Sequence, residues 1–316
     1  MQELQVIIGT GPVGRATAEA LRERGFRVRI ISKYGKMDDI PTGIEVLSAD
    51  VLNRSALDTA VAGAAAVYQC AQPPYNRWIS EFPAFQRAIL EAAERVGARL
   101  VLAENLYGYG DRNGVPIDDA SPLSASDAKG RTRAALSEEA FVAHKAGRLP
   151  VVSARASDFF GPWAWEQSHL GARALGPLAR GKPASILGSP DIPHTFTYIR
   201  DFGEALAILG TTGHGDGRAW LVPNDRPHQT QREALTVAAD LLGKPLRFKA
   251  LGRSTLTLAG LFIPLVRELL PLLYQFEKPY IVESDSFQRR FGMERTPFDR
   301  ALSETVNWMR KRGLSE

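Results

Sequence analysis

Leu4-Gln5-Val6-Ile7-Ile8-Gly9-Thr10-Gly11-Pro12-Val13-Gly14-Arg15 decides the fold. An apolar run of strand length meets a Gly-x-Gly-x-x-Gly turn and passes into a helical pattern at Pro12–Arg24. Gly9 permits the tight turn, Gly11 lets the backbone approach a pyrophosphate, and Gly14 allows close packing of helix on strand. The phosphates then rest on the positive N-terminus of the helix. The three glycines alone are a weak signal; between a strand and a helix of a βαβ unit they are a strong one. Thr10, Pro12, Val13 and Arg15 belong to the same cofactor-binding turn.

Outward from this start, short apolar runs alternate with helical patterns. Strands are predicted at Leu4–Ile8, Phe26–Ser32, Ile44–Leu47, Ala65–Cys70, Ala98–Ala103 and Pro150–Arg155. Helices are predicted at Pro12–Arg24, Arg54–Val61, Phe82–Val96 and Lys129–Lys145. In the third helix Phe82, Phe85, Ile89, Ala92 and Val96 share one face. This alternation predicts an α/β fold, a doubly wound parallel sheet of the Rossmann type. Turn residues from Gly161-Pro162 to Ile192-Pro193 predict an excursion from the sheet, with a return at Phe196–Ile199. Beyond Pro223 the patterns are mainly helical, including Gln231–Leu242. The expected division is a dinucleotide domain of residues 1–162 and 195–223, and a smaller C-terminal substrate lobe of residues 163–194 and 224–316.

The 316 residues, 44% hydrophobic and 23% charged, are ordinary for a globular protein. The net charge of +4 is mildly basic and comes from interspersed residues, which excludes a nucleic-acid-binding tract. The single cysteine, Cys70, excludes an internal disulfide framework and fits a reducing compartment; its apolar run predicts a buried strand residue. The N-terminus enters the first strand almost directly, leaving no room for a signal peptide, so a cytoplasmic location is expected. The apolar stretch Leu256 to Tyr274 holds Arg267, Glu268 and two prolines, which argues against a spanning helix and for a buried or substrate-covering helix pair. No membrane partner is expected. There is no H-E-x-x-H or Cys/His cluster for a metal, no G-x-S-x-G elbow and no P-loop lysine.

The end of the second strand selects the nucleotide. An acidic residue there binds the ribose 2′-hydroxyl and repels a 2′-phosphate. This chain reads Ile30-Ile31-Ser32-Lys33-Tyr34, a hydroxyl and a cation, which predicts NADP(H) over NAD(H), with Arg15 as a helper. Asp50-Val51 after the third strand is placed near the adenine, although Asp50 equally suits a helix cap for 53–61. Ala71-Gln72-Pro73 after the fourth strand is placed beside the nicotinamide ribose and phosphates.

With these motifs on the page, the chain resembles the extended short-chain dehydrogenase/reductases, the NAD-dependent epimerase/dehydratase family, over nearly its whole length. Tyr107-Gly108 resembles the family's strand-end Tyr-Gly, and Arg155-Ala156-Ser157-Asp158-Phe159-Phe160-Gly161-Pro162 its Arg-Pro-x-x-x-x-Gly-Pro segment. His194-Thr195-Phe196-Thr197-Tyr198-Ile199-Arg200-Asp201 is similar to its Arg-Asp-Phe-x-Tyr-Val-x-Asp stretch. Phe291-Gly292 and Ala301–Trp308 resemble its closing segment. The resemblance implies a cofactor-dependent enzyme with a small-molecule substrate and a homodimer formed through helices beside the sheet.

The departure is catalytic. In the family a Ser or Thr after the fifth strand positions a substrate oxygen, and a Tyr moves the proton with a Lys one helical turn later. Here Ala103 stands at the hydroxyl position, Lys129 at the Tyr position and Arg133 at the Lys position. The dehydratase branch has Asp-Glu where this chain has Glu104-Asn105. Lys129 and Arg133, four apart, share a helix face. Arg133 stays protonated, so it can clamp ribose or phosphate but moves no proton. Lys129 or Glu104 is the expected acid/base, Asn105 orients substrate, and Tyr107 is a further candidate acid. An ion pair of Lys129 with Glu104 in a fold kept for binding alone is the competing structural account. Trp163, Trp165, His169, His194, Phe276 and Tyr280 suggest an apolar or aromatic substrate pocket, which disfavours a nucleotide-sugar. The predicted function is NADP(H)-dependent oxidation or reduction of a small carbonyl, alcohol or enone. The alternatives are a redox-neutral epimerase or dehydratase and a non-catalytic dinucleotide sensor.

Overall fold

The computed structural model describes residues 2–314. Its main sheet contains β1 (Leu4–Ile8), β2 (Arg27–Ser32), β3 (Ile44–Ser48), β4 (Ala64–Gln69), β5 (Arg99–Glu104), β6 (Val151–Arg155) and the strand Ala219–Leu221. From one edge to the other the order is Ala219–Leu221, β6, β5, β4, β1, β2, β3, and every neighbouring pair is parallel. The chain winds outward in both directions from β1, which pairs with β2 on one side and β4 on the other. Ligands of open α/β sheets sit at the carboxyl ends of the strands flanking such a reversal, and the glycine turn lies there. All five residues of β1 are buried, as a strand covered on both faces requires.

The covering helices include α1 (Pro12–Glu23), α2 (Arg54–Val61), α3 (Trp78–Val96) and α4 (Ala128–Lys145). Asn53 caps α2, its Oδ1 accepting the Ala56 N–H at 3.1 Å, and α3 ends where Gly97 turns left-handed at φ 67°. The α3 helix begins four residues before the predicted start at Phe82, because Pro83 lies inside it rather than bounding it. The extra turn brings Trp78 into a cluster with Phe82 and Leu136. The larger core packs Leu57, Val61, Ile89, Leu100 and Val151 between sheet and helices. Cys70 falls one residue beyond β4 and is half-buried; burial pushes its thiol up to about 12.

Two compact units partition the contacts. The first contains Met1–Gly108, Leu123–Ala156 and Arg200–Val222; the second contains Tyr109–Pro122, Ser157–Ile199 and Pro223–Glu316. The bounds differ from those read in the sequence chiefly at Tyr109–Pro122. That segment joins the second unit because Ile117 bridges Val282 and the Lys278 ammonium binds Asp111 and Asn113, both at 2.6 Å. The second unit is not helical throughout. Asp158–Phe160 pairs with Phe196–Tyr198, and Ala184–Leu187 with Phe248–Leu251, both parallel. Its helix Gln231–Leu242 opens on a capping box formed by Thr230 and Glu233.

The apolar stretch Leu256 to Tyr274, expected as a buried or substrate-covering helix pair, is not buried throughout. Pro264 and Pro271 start new short elements, which breaks the stretch into Arg253–Gly260, Pro264–Leu269, Leu270–Leu272 and Tyr274–Glu277. Leu256, Leu273 and Phe276 pack with Leu187, but Leu258, Leu261, Phe262 and Ile263 remain in solvent. Among the described residues no helix is long and apolar enough to cross a membrane.

Within the first unit the Tyr68 hydroxyl donates to Gln5 Oε1 at 2.8 Å between adjacent buried strands. Tyr68→Phe strands that amide oxygen, and urea denaturation is expected to show a loss of about 1–3 kcal/mol.

Candidate functional site

The glycine turn is built for a close ligand. Gly9 takes φ 120°, which L side chains rarely adopt, and a Cβ on Gly14 would lie 2.0 Å from the Gly9 carbonyl oxygen. A Cβ on Gly11 would meet nothing within 4 Å, so this position faces open space. Gly11 is the N-cap of α1, with Pro12 beginning the helix, and no side chain caps it. The first N–H groups are therefore left for an anion. Thr10 and Val13 flank the turn, half-buried.

At the end of β2 the Ser32 Oγ is buried and has no hydrogen-bond partner among the described residues. Lys33 Nζ lies 3.0 Å from Asp50 Oδ2, both side chains largely exposed. The Leu52 N–H and then Lys33 hold the Asp50 carboxyl below its ordinary value, and Asp50 raises Lys33. Asp50 does not cap the following helix; its Oδ1 accepts the Leu52 N–H at 3.1 Å, and Asn53 is the cap. Arg15 is buried beneath the loop that follows β2, bonding the carbonyls of Asp38 and Asp39 and lying 3.4 Å from Glu19. Val51 is buried. After β4, Gln72 is exposed while the carbonyl of buried Pro73 accepts the Trp78 indole N–H at 3.1 Å. A nucleotide with a polar ribose substituent fits this set: an open glycine, uncapped amides, an orphaned hydroxyl and an adjacent cation.

The catalytic candidates lie at the end of β5 and the start of α4. Asp127 caps α4, its Oδ1 accepting the Gly130 N–H at 2.8 Å. Lys129 is buried with its ammonium 4.4 Å from the centre of the Tyr75 ring. Arg133 is buried against Phe82 and Trp78, at 5.1 and 5.6 Å from their ring centres. Asn105 Oδ1 accepts the Tyr107 N–H at 3.2 Å, closing a side-chain turn. Tyr107 is half-buried with its ring 5.9 Å from Trp78.

Glu104 has a different set of partners from the one the sequence offered. Its Oε2 accepts from Ser153 at 2.5 Å, Arg155 Nε at 3.0 Å and Ser137 at 3.3 Å, and Arg155 also donates to Ser137 at 2.7 Å. The ion pair is therefore with Arg155, not Lys129. Burial opposes the carboxylate charge, but Arg155 and Arg133, with the hydrogen bonds of Ser153 and Arg155, hold its carboxyl below the usual range. Ser137, Ser153 and Arg155 were missed in the sequence because each is an isolated polar residue inside a helix or strand. Only Arg155, at the head of the Gly-Pro segment, carried a signal.

In the second unit three of the aromatic candidates form one stack. The His194 ring lies parallel to Phe276, 4.7 Å between centres and 7° between planes, and 5.4 Å from Tyr280. Its Nδ1 faces the Gln275 carbonyl at 2.9 Å and its Nε2 faces Asp158 Oδ2 at 2.8 Å. Burial works against the Asp158 charge, yet His169 and His194 keep its carboxyl below the ordinary range. His169 sits edge-on to Phe276 at 4.6 Å; burial, with Arg173 and His194 and against Asp158, pushes it down to about 4. Trp163 and Trp165 lie apart from this stack, 5.6 and 6.3 Å from Trp308 on the helix Phe298–Lys311. Among the described residues no group of three or more His, Cys, Asp or Glu could hold a metal.

Residues 6–222 match the NAD dependent epimerase/dehydratase family. Comparison with curated proteins finds no match. Solved structures share the fold over nearly the full length. An epimerase from Methanothermobacter thermautotrophicus aligns with a TM-score of 0.82 at 17% identity, covering 99% of this chain and 93% of that one. The dTDP-glucose 4,6-dehydratase of Bacillus anthracis, solved in complex with NAD, aligns at 0.80 and 16%, covering 99% and 98%. The UDP-glucose 4-epimerase of Thermotoga maritima, solved with UDP-glucose, aligns at 0.78 and 15%, covering 98% and 99%.

Two acid-stability outcomes follow. Glu104 is held ionised in the fold, so its contribution is complete above its ordinary value of 4.5 and is lost as pH falls through the lower folded value. Glu104→Gln is expected to cost about 3–5 kcal/mol at neutral pH by leaving Arg155 and Arg133 uncompensated, with a flatter acid limb in denaturant titrations. His169 titrates lower in the fold than its ordinary 6.5, so the unfolded chain takes the proton first and stability falls as pH drops from 6.5 toward 4. His169→Phe is expected to remove the slope in that window alone.

Proposed function

Since the chain belongs to the NAD dependent epimerase/dehydratase family, we propose that it is an NADP(H)-dependent oxidoreductase acting on a small, apolar or aromatic carbonyl, alcohol or enone. The observation that carries the chemistry is the buried ammonium of Lys129, standing where the resemblance puts the family's tyrosine. Arg133 keeps its proton at any working pH, and Glu104 is held ionised, its Oε2 accepting from Arg155, Ser153 and Ser137. Of the charged candidates this leaves Lys129 to give a proton to a substrate oxygen in reduction and to take it back in oxidation, with the half-buried Tyr107 as the further candidate acid. A nicotinamide held at this site would supply the hydride in reduction and accept it in oxidation. Asn105, its carbonyl oxygen occupied by the Tyr107 N–H, has its amide N–H groups to orient the substrate oxygen. Glu104 and Arg133 act as positioning residues that fix the strand end and balance its charge.

The cofactor preference rests on Ser32 and Lys33. The Lys33–Asp50 pair is exposed, and exposed pairs are weak, so Lys33 is available to a 2′-phosphate beside the orphaned Ser32 hydroxyl. Arg15 supports the site indirectly, by holding the loop after β2 through Asp38 and Asp39. A redox-neutral epimerase or dehydratase is the second reading, favoured by the family's description and by the dehydratase solved with NAD.

Titration of both nucleotides tests the preference. NADPH is expected to bind roughly tenfold more tightly than NADH, as one charge-assisted contact provides, and Lys33→Glu should reverse the order; tighter NADH binding by the unaltered protein removes the assignment. A nicotinamide absorbance assay against aldehydes, ketones and enones tests the reaction. Lys129→Met should reduce turnover about 10²–10⁴-fold with nucleotide affinity retained. Turnover that survives this change assigns the proton elsewhere, and tight binding without oxidation of any substrate favours the redox-neutral reading.

A further inference from the structure

The segment between Asp240 and Glu268 contains Lys244, Arg247, Lys249, Arg253 and Arg267 and no acidic residue. Its cations are exposed. Within the same segment the helices Arg253–Gly260 and Pro264–Leu269 fold back on each other, Gly260 allowing close approach to the Arg267 backbone. The turn between them is Leu261-Phe262-Ile263, and these three are 70%, 80% and 49% exposed, with Leu258 one turn earlier at 64%. Three consecutive exposed apolar residues make a projecting tip rather than a flat face. Burial of Leu256 beneath it, against Leu187, Leu273 and Phe276, anchors the hairpin to its unit. Solvated apolar surface of this kind on a folded chain marks an interaction site.

We propose that this hairpin is a peripheral membrane-docking element that inserts Leu258, Leu261, Phe262 and Ile263 into the interface of an anionic lipid surface. Both halves of such an attachment are present. The tip supplies apolar side chains, one of them aromatic, at the depth of the headgroup and acyl boundary, and the exposed Lys244, Arg247, Lys249 and Arg267 supply cations for lipid phosphates, Arg253 being paired with Glu277. A projecting shape suits entry into a fluid interface, whereas two copies meeting tip to tip would cover little area. The element lies on the surface of the membrane and spans nothing, in keeping with the shortness of its helices. It provides a route by which a sparingly soluble apolar substrate could be drawn from lipid, although the docking itself is independent of the reaction assigned above.

Co-sedimentation of the full chain with phosphatidylcholine vesicles, with and without phosphatidylglycerol, tests the proposal. Association with the anionic vesicles, weaker without phosphatidylglycerol, is expected. The triple variant Leu261→Ser, Phe262→Ser, Ile263→Ser should lower the bound fraction by about tenfold or more while melting temperature and nucleotide affinity stay unchanged. Arg247→Glu with Lys249→Glu should abolish the preference for anionic lipid. Absence of vesicle association by the unaltered chain overturns the proposal, as does undiminished association of the triple variant. Concentration-dependent dimerisation that the triple variant abolishes, with no vesicle binding, would make the tip a contact between copies instead.

Discussion

The buried carboxylate of Glu104 is the constraint around which the first unit's site is arranged. It ends β5 and is bound by Ser153 and Arg155 from β6 and by Ser137 from α4, so one side chain ties three elements together. A carboxylate in this position is tenable only because two guanidinium groups, of Arg155 and Arg133, lie close enough to offset its loss of water. The reverse is equally true of Arg133, which is enclosed by Trp78 and Phe82 and whose nearest opposite charge is this carboxylate. The position at which the related enzymes are expected to carry lysine therefore holds a permanent cation.

That arrangement redistributes the chemical roles. A carboxylate held ionised by two guanidinium groups is a poor proton carrier, and a guanidinium is none at all. Of the charged side chains at the end of β5 and on the first turns of α4, Lys129 alone combines a titratable nitrogen with an aromatic neighbour and the substrate-facing place suggested by the resemblance. At the glycine turn there is open space over Gly11, no side chain caps the helix, and among the described residues the buried Ser32 hydroxyl has no partner.

The second unit shows a contrast between satisfied and unsatisfied surface. His194 has both ring nitrogens engaged and both faces near aromatic rings, which makes it a rigid support and draws Asp158 into a fixed orientation. Trp163 and Trp165, grouped with it by type in the sequence, instead pack toward Trp308, where their rings steady the closing helix. At the other extreme Leu261, Phe262 and Ile263 satisfy no internal contact of note and meet solvent. Burial and exposure of similar apolar residues within one unit depend on where Gly260 and Pro264 break the helices.

The doubly wound sheet and its glycine turn were legible in the sequence, because period, apolar run length and backbone freedom are local properties. All six predicted strands of the first half and its four helices exist, with ends shifted by a few residues, most at Trp78, where an internal proline resembled a boundary. Side-chain partnership was not legible. Glu104 meets residues 33, 49 and 51 positions away, and His194 meets one 36 positions upstream and another 81 downstream. By itself, then, the chain determined which segments become strands and helices and where the glycine turn between the first strand and helix lies. Only the tertiary structure decided that Glu104 pairs with Arg155, that Asp50 turns a loop rather than capping a helix, and which part of the apolar stretch Leu256 to Tyr274 is buried and which meets solvent. The physical reason is common to all three: charge balance and burial depend on neighbours brought together by folding, which no local pattern encodes.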